Sequence, residues 1–274
     1  WEVVFVDVTA WKDELLEFHK YVLNNSNNFL VTANKNPISL YSMKEFEDLT
    51  LFSNRYDTNT AVMWWGWILN FVDERYIIGD NIKNIEWVFS WTLWYILSEL
   101  EKWELSFSEI VRQAKEKGYT EPNPWDDLNW LDVARKVVIL ARYTGMNVSI
   151  DDVEVKPLID KKYSEFNWEE FLDKISEVDD YFNDQAKSAK ENNKVLRYIW
   201  EIVNWKLSVW LKLVDLNSDL WTLSWTSNLA LVETDIMENP LPHIIKSRWA
   251  WLEVTAWSVR VWISKMLPLN IKTK

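Results

Sequence analysis

Val3-Val4-Phe5-Val6-Asp7-Val8-Thr9 and, after a helical stretch, Phe29-Leu30-Val31-Thr32-Ala33-Asn34-Lys35 decide the fold class. Both are short, β-branched apolar runs that turn polar at their carboxyl ends, as strands of a parallel sheet covered on both faces do. Residues 2–9 form the first strand and Phe29–Thr32 the second, which stops at Ala33-Asn34-Lys35-Asn36-Pro37. Between them Leu15, Leu16, Phe18, Tyr21 and Val22 recur at helical spacing within Lys12–Leu23. Strand, helix, strand is the closing rhythm of a βαβ arrangement, so the chain is expected to be α/β. Ligands of such sheets gather at the carboxyl ends of the strands, which puts Thr9 and Asn34-Lys35 where a cofactor would sit. The chain opens inside an apolar stretch without an initiator Met, so further sequence is expected upstream.

Downstream the pattern changes. Met43–Phe52 has the spacing of a helix, and residues 56–69 that of a turn leading into a helix. Asn84–Phe89 reads as a strand, followed by helices at Thr92–Glu101 and Ser106–Lys117, the second capped by Gly118. Tyr119–Leu128 is an acidic, proline-bearing loop, and Trp130–Tyr143 a strong helix ending near Gly145. Residues 160–194 read as a charged, solvated helical stretch, in which Asp179-Asp180 carry no assigned role. Residues 195–237 alternate like antiparallel strands, and Trp249–Met266 reads as a turn plus helix.

Composition excludes several classes. A net charge of −12 disfavours nucleic acid or an anionic membrane as partner, since both demand a basic face. With no Cys and only His19 and His243, disulfides, thiolate chemistry and multi-His metal sites are out of reach. No apolar run reaches transmembrane length.

Tryptophan and glycine are out of proportion. The 274 residues hold 21 Trp and 4 Gly, against an average glycine usage of about 7 %. Many Trp stand in turn contexts, such as Ser90-Trp91-Thr92, Asn204-Trp205-Lys206 and Arg248-Trp249-Ala250-Trp251. Chains use glycine there because it alone reaches positive φ without steric cost. The expectation is that UGA codons read as glycine by the organism stand as Trp in this sequence. The alternative is a genuinely Trp-rich protein, with Trp64, Trp65 and Trp67 as an aromatic platform for sugars or bases.

The densest chemical constellation is Gly118-Tyr119-Thr120-Glu121-Pro122-Asn123-Pro124-Trp125-Asp126-Asp127-Leu128-Asn129-Trp130-Leu131-Asp132-Val133-Ala134-Arg135-Lys136. Asp132 and Lys136 are i and i+4 on one helix face and can pair. A lysine beside a carboxylate can give or take a proton, and burial would bring its pKa into the working range. Glu121, Asp126 and Asp127 could converge there on a substrate ammonium. A surface ion pair after an acidic loop fits the spacing equally well.

This string, with glycine at Trp130, resembles the catalytic segment of homoserine dehydrogenases. So do Trp87-Val88-Phe89-Ser90-Trp91-Thr92-Leu93-Trp94-Tyr95-Ile96, Thr32-Ala33-Asn34-Lys35, Asn239-Pro240, and Trp249-Ala250-Trp251 with Val254-Thr255-Ala256. The family has glycine at Trp87, Trp91, Trp130, Trp249 and Trp251. The resemblance implies the tail of a Rossmann-like nucleotide-binding domain (1–57), an α+β substrate-binding, catalytic and dimerisation domain (58–250), and a helix returning to the first domain (251–274). It implies a cytoplasmic homodimer that interconverts L-homoserine and L-aspartate 4-semialdehyde with NAD(P), in the pathway to threonine and methionine.

By the same resemblance Lys136 is the proton donor and acceptor, and Asp132 and Glu121 bind substrate with Asp127, Tyr119, Thr92 and Trp91 nearby. Lys35 lies between cofactor and substrate, and Thr9, Asn34 and the backbone of Trp251 touch the dinucleotide. A monovalent cation maps to the carbonyls of Val62, Trp64 and Gly66, with Asn59 where a glutamate is usual. The chain departs from the family at Trp94, Trp125 and Trp67, the last in place of a common proline. It also lacks the G-x-G-x-x-G turn that cradles pyrophosphate. The competing expectation is therefore an inactive scaffold with a substrate pocket and no dinucleotide site.

Overall fold

The computed structural model describes residues 3–25, 27–52, 54–62, 67–88, 90–120, 124–128, 131–222, 227–236, 241–248 and 252–266. The chain opens with β1 (Val4–Asp7), α1 (Leu15–Asn24), β2 (Phe29–Thr32), α2 (Asn36–Ser39), α3 (Met43–Thr50) and β3 (Tyr56–Asp57). These make a parallel three-stranded sheet in the order β1-β2-β3, with Val4 opposite Phe29 and Leu30 opposite Tyr56. Leu30 and Val31 are completely buried, as the continuous apolar run requires. The first strand is shorter than residues 2–9 because the chain leaves the ladder at Asp7, whose side chain turns inward.

The second part comprises α4 (Ile68–Ile77), β4 (Ile82–Val88), α5 (Trp91–Leu100), α6 (Phe107–Glu116), α7 (Pro124–Leu128), α8 (Leu131–Tyr143) and β5 (Val153–Val155). It continues with α9 (Trp168–Lys174), α10 (Asp179–Glu191), β6 (Lys194–Val203), β7 (Lys206–Asp215), β8 (Ser227–Thr234), β9 (His243–Arg248) and α11 (Leu252–Met266). Its strands form a six-stranded sheet in the order β5-β7-β6-β4-β8-β9. All its pairings are antiparallel except β5 with β7. One hydrophobic core runs from Leu16 and Leu30 through α8 to Tyr198 and Val232, joining both sheets. α11 packs back on β2 and on the short turn at Asn59–Ala61. The fold is thus α/β, with one parallel and one mixed sheet.

Local chemistry explains the boundaries. Ser42 with Glu45 and Ser106 with Glu109 close reciprocal caps at the starts of α3 and α6. Gly118 ends the α6 turn at φ +71°, as expected. Gly145 holds φ +83°, and a Cβ there would meet the Tyr76 ring at 2.6 Å. The proline-bearing loop differs from expectation: Pro124 opens a helical turn, α7, where its fixed φ suits the first position. The stretch 160–194 is less solvated than its charge suggests. Phe171 and Phe182 are completely buried, and Asp179 accepts hydrogen bonds from the Ser108 amide and hydroxyl, both at 2.7 Å.

Candidate active site

Three of the expected site residues come together. Lys35 follows the carboxyl end of β2 at the entrance to α2, while Asp132 and Lys136 lie one turn apart at the start of α8. Lys136 Nζ is 2.8 Å from Asp132 Oδ2, and Lys35 Nζ is 3.3 Å from Asp132 Oδ1. The carboxylate bridges two ammonium groups that come from different parts of the fold. Its side chain is 49 % exposed, whereas that of Lys136 is 15 % exposed. The cluster therefore opens to solvent on the carboxylate side and shields the lysine.

The charges tune one another. Partial burial pushes the Asp132 carboxyl up, but Lys136 and Lys35 outweigh it and hold the acid well below the usual carboxylate range. Burial lowers the Lys136 ammonium, the Asp132 carboxylate works against that, and the Lys35 charge adds to it, leaving Lys136 at about 8. A lysine at that value changes protonation near neutral pH, as a general acid and base must.

Arg142, which the sequence reading passed over, holds this geometry. It lies two turns along α8 and is 2 % exposed. Its guanidinium donates to Val148 O at 3.0 Å, Ile38 O at 3.0 Å and Tyr41 O at 2.5 Å. Two of those carbonyls flank the end of α2, so Arg142 locks the Lys35-bearing segment against the helix that carries Asp132 and Lys136. Only a chain already folded brings these carbonyls to one guanidinium, and nothing in the local sequence marks it.

Thr9 and Asn34 form a ledge beside Lys35. Asn34 Nδ2 donates to Thr9 Oγ1 at 3.2 Å and to Trp11 O at 3.1 Å, and Asn34 Oδ1 accepts from the Asn36 amide at 2.9 Å. The Asn34 amide is therefore occupied by the protein itself and acts as a brace. A cavity of ≈ 780 Å³ opens along α1 and is lined by Asp7, Thr9, Trp11, Glu14 and Phe18, among others, but by none of Lys35, Asp132 and Lys136.

Thr92 and Tyr119 make a second group. Thr92, in the first turn of α5, donates to Tyr119 O at 2.7 Å. The Tyr119 ring meets Tyr95 edge-on at 5.1 Å. This bond anchors the segment that leads from α6 toward α7. Trp91 opens α5 and Asp127 lies in α7, but their side chains, like Glu121, Trp251, Trp64 and Gly66 as a whole, lie outside the described residues.

At the expected cation turn, Asn59 points back to Asp57. Its backbone amide is 3.1 Å from Asp57 Oδ1, and its Nδ2 is 2.8 Å from Oδ2. Val62 is buried three residues on. Where the resemblance has a glutamate at 59, the nearby carboxylate here is Asp57, the last residue of β3. Burial pushes the Asp57 carboxyl up to about 6, against the two Asn59 hydrogen bonds. Among the described residues no cluster of three or more His, Cys, Asp or Glu could hold a metal ion.

Residues 68–261 match the family model described as homoserine dehydrogenase. The chain belongs to the homoserine dehydrogenase family. It is 37 % identical over 196 residues to a Saccharomyces cerevisiae homoserine dehydrogenase, which covers 69 % of this chain and 54 % of that protein. The chain thus spans about half the length of that relative. A crystal structure of a Candida auris protein described as of unknown function superposes with a TM-score of 0.87 at 30 % identity, over 96 % of this chain and 75 % of that one. A hyperthermophilic archaeal homoserine dehydrogenase, solved in complex with NADPH, shares the fold at 22 % identity and a TM-score of 0.71, over 96 % of this chain and 70 % of that one.

The Thr9–Asn34–Lys35 ledge fits one end of a dinucleotide in its chemistry. It is polar, braced from behind and adjacent to the lysine pair, as a nicotinamide would require. The cavity wall formed by Asp13, Glu14 and Glu17 is acidic and does not fit a pyrophosphate.

Proposed function

We propose that this chain interconverts L-homoserine and L-aspartate 4-semialdehyde, as part of the pathway to threonine and methionine. The observation that carries the reading is the Lys35–Asp132–Lys136 cluster at the carboxyl end of a parallel sheet. When bound, NAD(P) supplies the hydride acceptor and donor, and Thr9 and Lys35 would hold its nicotinamide end. Lys136 Nζ takes the proton from the substrate hydroxyl in the oxidation and returns it in the reduction. Asp132 holds Lys136 in place and, with Glu121 and Asp127, binds the substrate ammonium. Thr92, Tyr119 and the Trp91 position shape the pocket on the other side. The backbone at Trp251 would close on the cofactor.

A monovalent cation at the 59–66 turn would take carbonyl oxygens from Val62, Trp64 and Gly66. Asp57, rather than Asn59, supplies the charge in this reading. Residues 1–57, 58–250 and 251–274 are proposed as the nucleotide-binding portion, the catalytic and dimerisation portion, and the returning helix. The partners proposed are a small-molecule substrate and a second copy of the chain, with no nucleic acid and no membrane, in the cytoplasm. No described helix is long and apolar enough to cross a membrane.

A scaffold without turnover is the second reading, favoured by a cavity that none of Lys35, Asp132 and Lys136 lines. Homoserine-dependent formation of NADH or NADPH by the full-length protein separates the two. Turnover supports the enzyme, and absence of turnover with folded protein supports the scaffold.

A further inference from the structure

Behind the Thr9–Asn34 ledge lies a buried hydrogen-bond network that neither the motif nor the ion pairs explain. Asp7 Oδ1 accepts from the Thr9 amide at 3.0 Å and the Thr9 hydroxyl at 2.8 Å. Asp7 Oδ2 accepts from Thr32 Oγ1 at 3.1 Å and faces His19 Nε2 at 3.2 Å. His19 is completely buried, and its Nδ1 is 3.1 Å from the Tyr56 hydroxyl. The tautomer that satisfies both contacts has Nε2–H donating to Asp7 and Nδ1 accepting from Tyr56. Burial pushes Tyr56 ionisation well up, so its hydroxyl remains a donor. Burial raises the Asp7 carboxyl too, but its donors outweigh that and hold it below its ordinary value.

The network reaches the site through the two threonines. Thr32 Oγ1 accepts from the Asn34 amide at 3.0 Å, and Thr9 Oγ1 accepts from Asn34 Nδ2 at 3.2 Å. Asn34 is the neighbour of Lys35, whose ammonium bridges to Asp132. A fixed carboxylate inside the sheet thus sets the backbone of the residue that carries Lys35. Relaxing it would let the ledge move relative to α8, and a misplacement of an ångström at such a site costs on the order of 10²-fold in rate.

We propose that the buried Asp7–His19 pair is a positioning device that acts through Thr32 and Thr9 on Asn34 and Lys35, and so sets the dinucleotide ledge. This rests on the homoserine dehydrogenase reading for its substrate, but not for its binding readout. The test uses Thr32→Val, which keeps shape and burial while removing the bridging hydroxyl, with Thr32→Ser as the conservative rescue and Asp7→Asn as the stronger variant. NADPH binding is followed by nucleotide fluorescence and turnover with homoserine by absorbance. The expected result is NADPH binding weakened about tenfold in Thr32→Val and more in Asp7→Asn, with the homoserine KM unchanged and binding restored in Thr32→Ser. Folded Thr32→Val with parental NADPH affinity and kcat overturns the proposal. An NADPH effect without any homoserine turnover in the parent upholds it and removes the substrate assignment instead.

A different observation carries a second inference. Among the described residues six non-glycine positions have positive φ, and three of them are Trp: Trp67 at 51°, Trp103 at 63° and Trp205 at 65°. Asn204 and Trp205 form the two-residue loop between β6 and β7, where Val203 pairs with Lys206. Asn204 has φ 50°, so both loop residues are left-handed, the geometry of a type I′ turn, for which Asn-Gly is the preferred pair. Trp103 takes the left-handed conformation in the turn that ends α5, two residues past its cap Glu101. Both indoles are exposed, and Trp103 meets only the Lys190 ammonium over its ring, at 5.4 Å, among the contacts described, so neither place needs an indole for packing.

We infer that positions 67, 103 and 205 are glycine in the protein as the cell makes it, from UGA codons decoded as glycine. Trypsin releases Tyr198–Lys206 as one peptide. Its fragment masses, measured on protein purified from the source organism, are expected to place glycine at 205. An indole mass at 205 overturns the inference. In a host that inserts Trp, Trp205→Gly is expected to raise Tm by a few degrees, and an unchanged or lower Tm counts against it.

Discussion

Lys136 and Asp132 face each other across one turn of α8, Nζ to Oδ2 at 2.8 Å, with the lysine shielded and the carboxylate open to solvent. Lys35 arrives at the other carboxylate oxygen from a different layer of the fold, 3.3 Å from Oδ1, and its charge adds to burial in lowering the Lys136 ammonium. An isolated i,i+4 pair on a helix surface contributes a few tenths of a kcal/mol and does not lower the pKa of its lysine.

Lys136 at about 8 sets the direction of pH dependence. Homoserine oxidation needs the neutral amine, so kcat/KM is expected to rise with pH and level off above about 8. Semialdehyde reduction needs the ammonium and is expected to fall over the same range. Rate profiles in both directions check this, and parallel profiles would contradict it.

Asp132→Asn removes a carboxylate that opposes burial and the Lys35 charge at Lys136. The midpoint of the oxidation profile is expected to move to lower pH. Homoserine KM is expected to rise, with kcat/KM falling by roughly 10²-fold. Steady-state kinetics across pH 5–9 measure both, and a midpoint moving to higher pH would contradict the electrostatic account.

Arg142→Leu leaves the Ile38, Tyr41 and Val148 carbonyls without their donor. A loss of about 3 kcal/mol in unfolding free energy is expected, because buried groups left unmade cost about 1–3 kcal/mol each. Denaturant titration reads the stability. Turnover of the folded fraction is expected to drop as well, since Lys35 loses its fixed distance to α8.

Asp57 works in the opposite sense on stability. Its folded pKa of about 6 lies above the ordinary value of 3.8, so the folded state binds the proton more tightly. Its contribution is present below pH 4 and is lost as pH rises through 6. Asp57→Asn is therefore expected to stabilise the protein by about 2–3 kcal/mol at pH 7 and by nearly nothing at pH 4. Thermal melts at the two pH values check it, and a sodium or potassium concentration series in the parent shows whether a cation lifts the same penalty.

Much of the fold was legible because its signals are local. The β-branched runs at 3–9 and 29–32 both fold as parallel strands, although only the second is buried and Val3, Val6 and Val8 are exposed, and Gly118 marked the end of α6. Asp132 and Lys136 were legible because their spacing is that of one helix face. Lys35 came from the chain of motifs alone, since its contact with Asp132 spans the fold. Arg142 and the Asp7–His19–Tyr56 network escaped for the same reason: their partners are brought together only by the packing of β1, β2, β3 and α8. The three-residue β5 escaped because a short run beside a turn has no periodicity to read. Asp179 looked like a solvated charge and instead holds the start of α6.

The central claim is that Lys136 moves the substrate proton, and the most direct measurement compares Lys136→Met with the parent in the full-length protein. Homoserine-dependent NAD(P)H formation is read beside NADPH affinity from fluorescence titration. The account predicts turnover lost by at least 10²-fold with NADPH affinity within about twofold of the parent. Parental turnover in folded Lys136→Met would contradict it.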